Sequence, residues 1–78
     1  MEYCVGMIVR AKAGRDKNGF FIISSIDDDI GFIVNGKQRP IEKPKKKKLK
    51  HLAATNKVVE DFDTNRKVRK ILSEVQDN

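Results

Sequence analysis

Ile8-Val9-Arg10-Ala11-Lys12-Ala13-Gly14-Arg15-Asp16-Lys17-Asn18-Gly19-Phe20-Phe21-Ile22-Ile23 is the stretch around which the rest of the chain is arranged. Side chains along a strand alternate faces, so Val9 and Ala11 point one way while Arg10 and Lys12 point the other. A polar loop over residues 14–19 follows, opened and closed by glycine. Glycine and asparagine tolerate positive φ, which lets the backbone turn tightly and lie close to a partner. Two cations, a carboxylate and an asparagine stand there in four consecutive positions, a presentation of charge suited to a phosphate backbone. An ordinary solvated hairpin loop is the plain alternative.

Outward from the loop, the first strand is expected over residues 6–12 and the second over residues 20–26. The second is apolar on both sides, with Phe21 and Ile23 on one and Phe20 and Ile22 on the other. Such a strand is buried on both faces or leaves one for a partner. Asp27-Asp28-Asp29 reads as a turn and residues 30–34 as a third strand. Asn35-Gly36 signals a type I′ hairpin turn, with a return strand over residues 37–41 that Pro40 ends or bulges. Six lysines then fall between positions 43 and 50 with no acid among them. Mutual repulsion predicts an extended, solvated segment there, anchored by Leu49 and Leu52 and leading to a fifth short strand over residues 53–55. Residues 56–62 read as an extended link or a single helical turn.

The tail has a different period. Val68, Ile71, Leu72 and Val75 are spaced as one face of an amphipathic helix, with Asp63 or Thr64 as its N-cap and Arg66, Lys67, Arg69 and Lys70 on the polar side. A helix this short is marginal alone in water. Its apolar face is expected to dock on the outward side of Ile8, Phe20 and Ile22, which also explains why the second strand is apolar on both faces.

The chain has 78 residues, enough for one small domain whose core must be compact. Tyr3 and Val5 are expected to add to that core. A single cysteine, Cys4, excludes an intrachain disulfide, suits a reducing compartment and reads as a small buried hydrophobe. Neither a signal peptide nor a membrane-length apolar run is visible, so a soluble, cytoplasmic protein without membrane contact is expected. Of the net charge of +6, all lies in residues 1–52, which hold 12 Lys/Arg against 6 Asp/Glu, while residues 53–78 hold 5 against 5. That asymmetry marks a polyanion-binding face.

Five short strands, a glycine-bounded loop after the first and a basic segment describe a mainly β protein, a small SH3-like five-stranded barrel with a C-terminal α-helix. The run from Gly6 to Ile23 resembles the KOW motif, in which a hydrophobic strand, a loop of the Gly-[Lys/Arg]-Asp-Lys type and a second hydrophobic strand follow one another. The continuation from Asn35 to Leu52, with its lysines, is similar to the short bacterial KOW-domain RNA-binding proteins. These are related to the archaeal and eukaryotic large-subunit ribosomal protein fourteen. The resemblance covers residues 4–55. It implies a barrel over residues 1–55 with its basic segment at 43–50; the linker and packed helix over residues 56–78 rest on the spacing of the tail's own residues, which fits this group less distinctively. It further implies RNA as the partner, ribosomal RNA first, with ribosomal proteins as possible neighbours and a monomer when free. Gly14 corresponds to the motif's central glycine, and Arg15 and Lys17 to its loop cations. Asn18 departs from the glycine found in many members, and Phe20 from a more usual polar residue.

The RNA-binding residues expected are Lys12, Arg15, Lys17, Asn18, Lys37, Arg39, Lys43, Lys45, Lys46, Lys47, Lys48 and Lys50. Lysines deliver charge without reading base edges, so shape would be recognised more than sequence. Phe20 and Phe21 could stack on bases, but core duty is the better reading. Cys4 and His51 lack an orienting partner for a catalytic dyad and are too few for zinc. Asp27-Asp28-Asp29 lacks the ligand spacing of a calcium loop. No Walker-type nucleotide loop, nucleophile-elbow or dinucleotide motif occurs, so neither catalysis nor a cofactor is expected. The rival readings are a protein-interaction module of the transcription or translation machinery and, last, a peripheral membrane binder.

Overall fold

The computed structural model describes residues 2–76, leaving Met1, Asp77 and Asn78 outside it. The alternation of residues 8–23 becomes an antiparallel hairpin of β1 (Met7–Ala11) and β2 (Phe20–Asp27). Ile8 lies opposite Ile22, Val9 opposite Phe21 and Arg10 opposite Phe20. A two-residue turn at Asp28 and Asp29 leads to β3 (Ile30–Val34), and Asp27 ends β2 opposite Ile30. Asp28 takes φ +58°, a left-handed conformation for which aspartate is enriched.

The inward set on β2 breaks strict alternation, since Phe21 and Ile23 are followed by Ile26. A bulge between Ile23 and Ser25 restores it: Ile26 falls opposite Gly31 and packs inward. One extra residue in one strand shifts which face the following residues take.

Residues 37–41 do not form the return strand. A type I′ turn needs positive φ at both central residues; Gly36 has it at +78° and Asn35 does not. Instead the Asn35 Oδ1 accepts from the N–H groups of Lys37 (2.9 Å) and Arg39 (3.0 Å), and the Asn35 N–H donates to the Arg39 carbonyl (2.8 Å). Asparagine thus closes a wider loop with its own side chain. A second turn follows, where the Lys43 N–H donates to Pro40 O (2.9 Å).

The returning strand is the lysine run itself, β4 (Lys45–Lys48). Lys45 pairs with Ile33, Lys46 with Phe32, Lys47 with Gly31 and Lys48 with Ile30. The segment is extended, as repulsion suggested, but it is paired rather than free in solvent. Alternate amines leave a strand on opposite sides, which halves their crowding, and lysine is a common edge-strand residue.

A 3₁₀ turn (Leu49–His51) then leads into β5 (Leu52–Val58), longer than residues 53–55 and absorbing the first part of the expected link. The sheet order is β4-β3-β2-β1-β5, antiparallel throughout. It is an open sheet: β4 and β5 are its two edges and do not pair with each other.

The sheet separates two apolar clusters. On the inner side Met7, Val9, Ala11, Phe21, Ile23, Ile33 and Leu52 are buried, with Tyr3, Ile26, Leu49 and Ala54 packed around them. On the outer side Ile8, Ile22 and Val34 are buried under Val68 and Leu72 of α1 (Asn65–Gln76), flanked by Phe20, Phe62, Ile71 and Val75. The helix docks where the two-sided strand required it. Thr64 is its N-cap, accepting from the Lys67 N–H at 3.1 Å.

The leading segment departs from expectation at two residues. Tyr3 packs on the inner cluster and donates its hydroxyl to Leu52 O (2.8 Å), but Val5 is 51% exposed and Cys4 is exposed. The chain is pinned just after them by Gly6, whose N–H donates to Ile23 O (2.8 Å) and whose carbonyl accepts from Val59 N–H (2.8 Å). Gly6 has φ +92°, and a Cβ there would collide with the Val59 carbonyl. Cys4 and Val5 are thereby left outside the packed layer. No helix among the described residues is long and apolar enough to cross a membrane.

Candidate nucleic-acid interface

The β1–β2 loop is ordered by its own backbone. Ala11 and Gly19 are joined by an N–H···O bond of 3.0 Å, Asn18 N–H donates to Ala11 O (2.8 Å), and Gly19 N–H donates to Asp16 O (2.9 Å). Gly14 (φ +81°) and Asn18 (φ +73°) supply the left-handed positions, so asparagine serves where glycine is more usual. Arg10, opposite Phe20 on the outer side, donates to Asn18 Oδ1 at 2.9 Å. This fastens the loop tip to β1 and occupies the Asn18 acceptor.

Asp16 is the loop's second fastening. Its side chain is only 14% exposed, and its Oδ2 lies 3.3 Å from the Arg39 guanidinium and 3.8 Å from Lys47 Nζ. Lys47 also donates to Ala13 O at 2.9 Å and is itself only 10% exposed. Its stem starts opposite Gly31, where no side chain competes for the inner side of the sheet. A lysine from the edge strand thus reaches the loop between β1 and β2, and Arg39 brings the β3–β4 loop to the same carboxylate. Arg39 Nε is buried with no hydrogen-bond partner among the described residues.

The twelve residues expected from sequence therefore divide. Arg39 and Lys47 are turned to Asp16, and Lys45 is half-buried on the same side as Ile33. Lys12, Arg15, Lys17, Asn18, Lys37, Lys43, Lys46, Lys48 and Lys50 are exposed. The Lys12 N–H donates to His51 O (2.9 Å), placing Lys12 beside the 3₁₀ turn that carries Lys50. Lys43 sits apart, beside Glu42, which accepts from the Asn65 side chain (2.9 Å) at the start of α1. That hydrogen bond holds the Glu42 carboxyl below its ordinary range.

Two clefts flank Gly19. One, of about 530 Å³, is lined by Arg15, Asp16, Lys17, Gln38 and Arg39. The other, of about 230 Å³, lies between Phe20, Lys37, Gln38 and the helix residues Arg69 and Ser73. Arg69 is a contributor that sequence reasoning placed only on the helix's polar side. It donates to Gly36 O at 2.8 Å, locking the β3–β4 loop to α1. The approach is close: a Cβ on Gly36 would stand 2.6 Å from Asn65 O and 2.8 Å from Arg69 Cγ. The one sequence signal for it was the glycine itself.

Elsewhere, Lys67 bridges Asp61 and Asp63 at 3.0 Å each ahead of α1. The two carboxylates raise the Lys67 amine's pKa, and Lys67 lowers that of Asp63. Among the described residues no three His, Cys, Asp or Glu side chains gather to hold a metal ion.

Compared with known proteins, the chain matches no protein-family model and no curated protein.

Proposed function

We propose that this chain is a small RNA-binding module of the KOW type, with a fold akin to the SH3-like barrel, that contacts ribosomal RNA in the cytoplasm. The kinship is supported by the antiparallel order of five strands and by the short 3₁₀ turn joining edge strands β4 and β5. The carrying observation is that Arg15 and Lys17 of the β1–β2 loop and Lys37 of the β3–β4 loop stand exposed around the two clefts at Gly19, while Arg39 is paired with Asp16. Like charges are costly to gather without a polyanion to neutralise them. Arg15, Lys17, Lys37, Lys46, Lys48 and Lys50 contact phosphates, supplemented by Lys12, Lys43 and Lys45. Arg39 and Lys47 act through Asp16, holding the loop that presents Arg15 and Lys17.

Titrating structured RNA against salt tests this reading. With about six phosphates neutralised, log K falls against log salt with a slope of about −4.2 to −5.4. A flat response, or binding confined to one short sequence, overturns it. A second reading, a protein-interaction module, is favoured by one observation: Val58, on open edge strand β5, is 54% exposed, and Val5 is exposed as well. Under it RNA binding is absent.

A further inference from the structure

Of the four phenylalanines, Phe21 fills the inner cluster and Phe20 and Phe62 pack on the outer one. Among the described residues Phe32 joins neither and stays partly exposed. Its neighbour Ile33 points inward, so Phe32 points outward. Helix α1 covers Val34, two residues along the same face, but Phe32 lies outside that covered cluster. Directly opposite Phe32 on the edge strand is Lys46, and opposite Ile30, next on the same face, is Lys48; both lysines are exposed. Cross-strand partners share a face at close range. Two residues of strand separate the lysines by about 6.7 Å, close to the phosphate repeat of an extended polynucleotide. Across β2 the facing residues are Ser25 beside Phe32 and Asp27 beside Ile30, so the cationic side of the patch is the β4 side.

We infer that Phe32 is a stacking platform for one unpaired base, with Lys46 and Lys48 on the phosphates flanking it, so that the preferred ligand is single-stranded or looped RNA. This rests on the RNA-binding reading and narrows it. An aromatic ring on a sheet face offers a base its π-surface, whereas charge alone does not distinguish a strand from a duplex. Bases inside a continuous duplex cannot reach the ring, while their phosphates still reach the lysines.

The test compares a fluorescently labelled single-stranded decamer with a duplex of the same sequence, by anisotropy, on the full chain. The wild type binds the single strand more tightly. Phe32→Leu, which keeps an apolar side chain without the ring, weakens single-strand binding about tenfold and changes duplex binding less than about twofold, while Phe32→Tyr restores the wild-type preference. Duplex binding serves as the folding control. Because the chain contains no tryptophan, Phe32→Trp adds a reporter free of truncation, quenched by the single strand and not by the duplex. A wild type that binds both alike or favours the duplex, equal losses on both ligands, no loss at all, or an unquenched Phe32→Trp overturns the platform. Duplex binding that persists in those cases leaves the charge-based reading intact; a wild type that binds neither ligand removes both.

Discussion

The outer side of the sheet has two halves with opposite fates. Over β1, β2 and the end of β3, Ile8, Ile22 and Val34 are sealed beneath Val68 and Leu72. Over the start of β3 and β4, Phe32, Lys46 and Lys48 lie outside that seal. The difference shows where stability and binding are expected to separate. In the covered half an apolar side chain is removed from water and worth keeping whole. In the open half Lys46 and Lys48 are exposed, so replacing them is expected to cost little stability. Lys47 belongs to neither half: it is chemically identical to its neighbours, but one position in the strand turns it inward to Asp16.

The largest effect is expected from the covered half. Leu72 is 3% exposed, and Leu72→Ala in a packed site costs about 2–5 kcal/mol, a large share of the stability of so small a domain. A thermal or urea melt reads it; an unmoved midpoint would mean that the helix is not sealing this face. Lys47→Gln comes next. It removes a nearly buried amine from Asp16 and Ala13 O, with an expected loss of about 1–3 kcal/mol and faster amide exchange in residues 14–19. If Lys47→Gln melts like the wild type, its inward placement contributes nothing and the division within β4 fails. Lys46→Gln and Lys48→Gln, by contrast, should each shift stability by less than about 0.5 kcal/mol.

Acid gives the smallest effect. The carboxyls of Asp63 and Glu42 are held down by Lys67 and Asn65 respectively. A depressed folded-state value contributes stability above the ordinary carboxylate range, and that contribution is lost as pH falls through the depressed value. Both groups are exposed, so the effect is a slight destabilisation of the start of α1 below that range. Melts at about pH 6 and about pH 3 should show a slightly smaller acid loss in Lys67→Gln than in the wild type. Equal losses would mean that the Lys67 bridges do not tether the covered half.

What was legible in the sequence followed period and turn chemistry. Phe20, Phe21, Ile22 and Ile23 announced a strand with two apolar faces, and Val68, Ile71, Leu72 and Val75 announced the helix that covers one of them. A cap at Asp63 or Thr64 and Asn18 in the left-handed region were readable for the same reason, each choice being local, and the structure places the cap at Thr64. The return strand was not. Asn35-Gly36 carries a hairpin signature, but the Asn35 side chain closes a longer loop, and pairing waits until after Pro44. Four lysines suggest repulsion, and nothing in their composition states that an edge strand would sort them by alternation. Nor does a string of basic residues say which two will meet Asp16, since that depends on the fold bringing Arg39 of the β3–β4 loop and Lys47 of β4 to the β1–β2 loop. Cys4 and Val5 were misplaced because a glycine pin at Gly6 acts after them, not on them.

The division within the lysine strand is the central claim, and the salt dependence of RNA binding tests it most directly. Kd for one structured RNA with unpaired loops is measured from low to high salt for the wild type, Lys47→Gln and the double variant Lys46→Gln/Lys48→Gln, alongside their melts. If Lys46 and Lys48 contact phosphates as proposed, their joint removal makes the slope of log K against log salt shallower by about 1.4 to 1.8, with the melt of the double variant unchanged. Lys47→Gln lowers the melt and leaves the slope close to that of the wild type. A double variant with the wild-type slope, or a Lys47→Gln protein that loses slope without losing stability, would contradict the account.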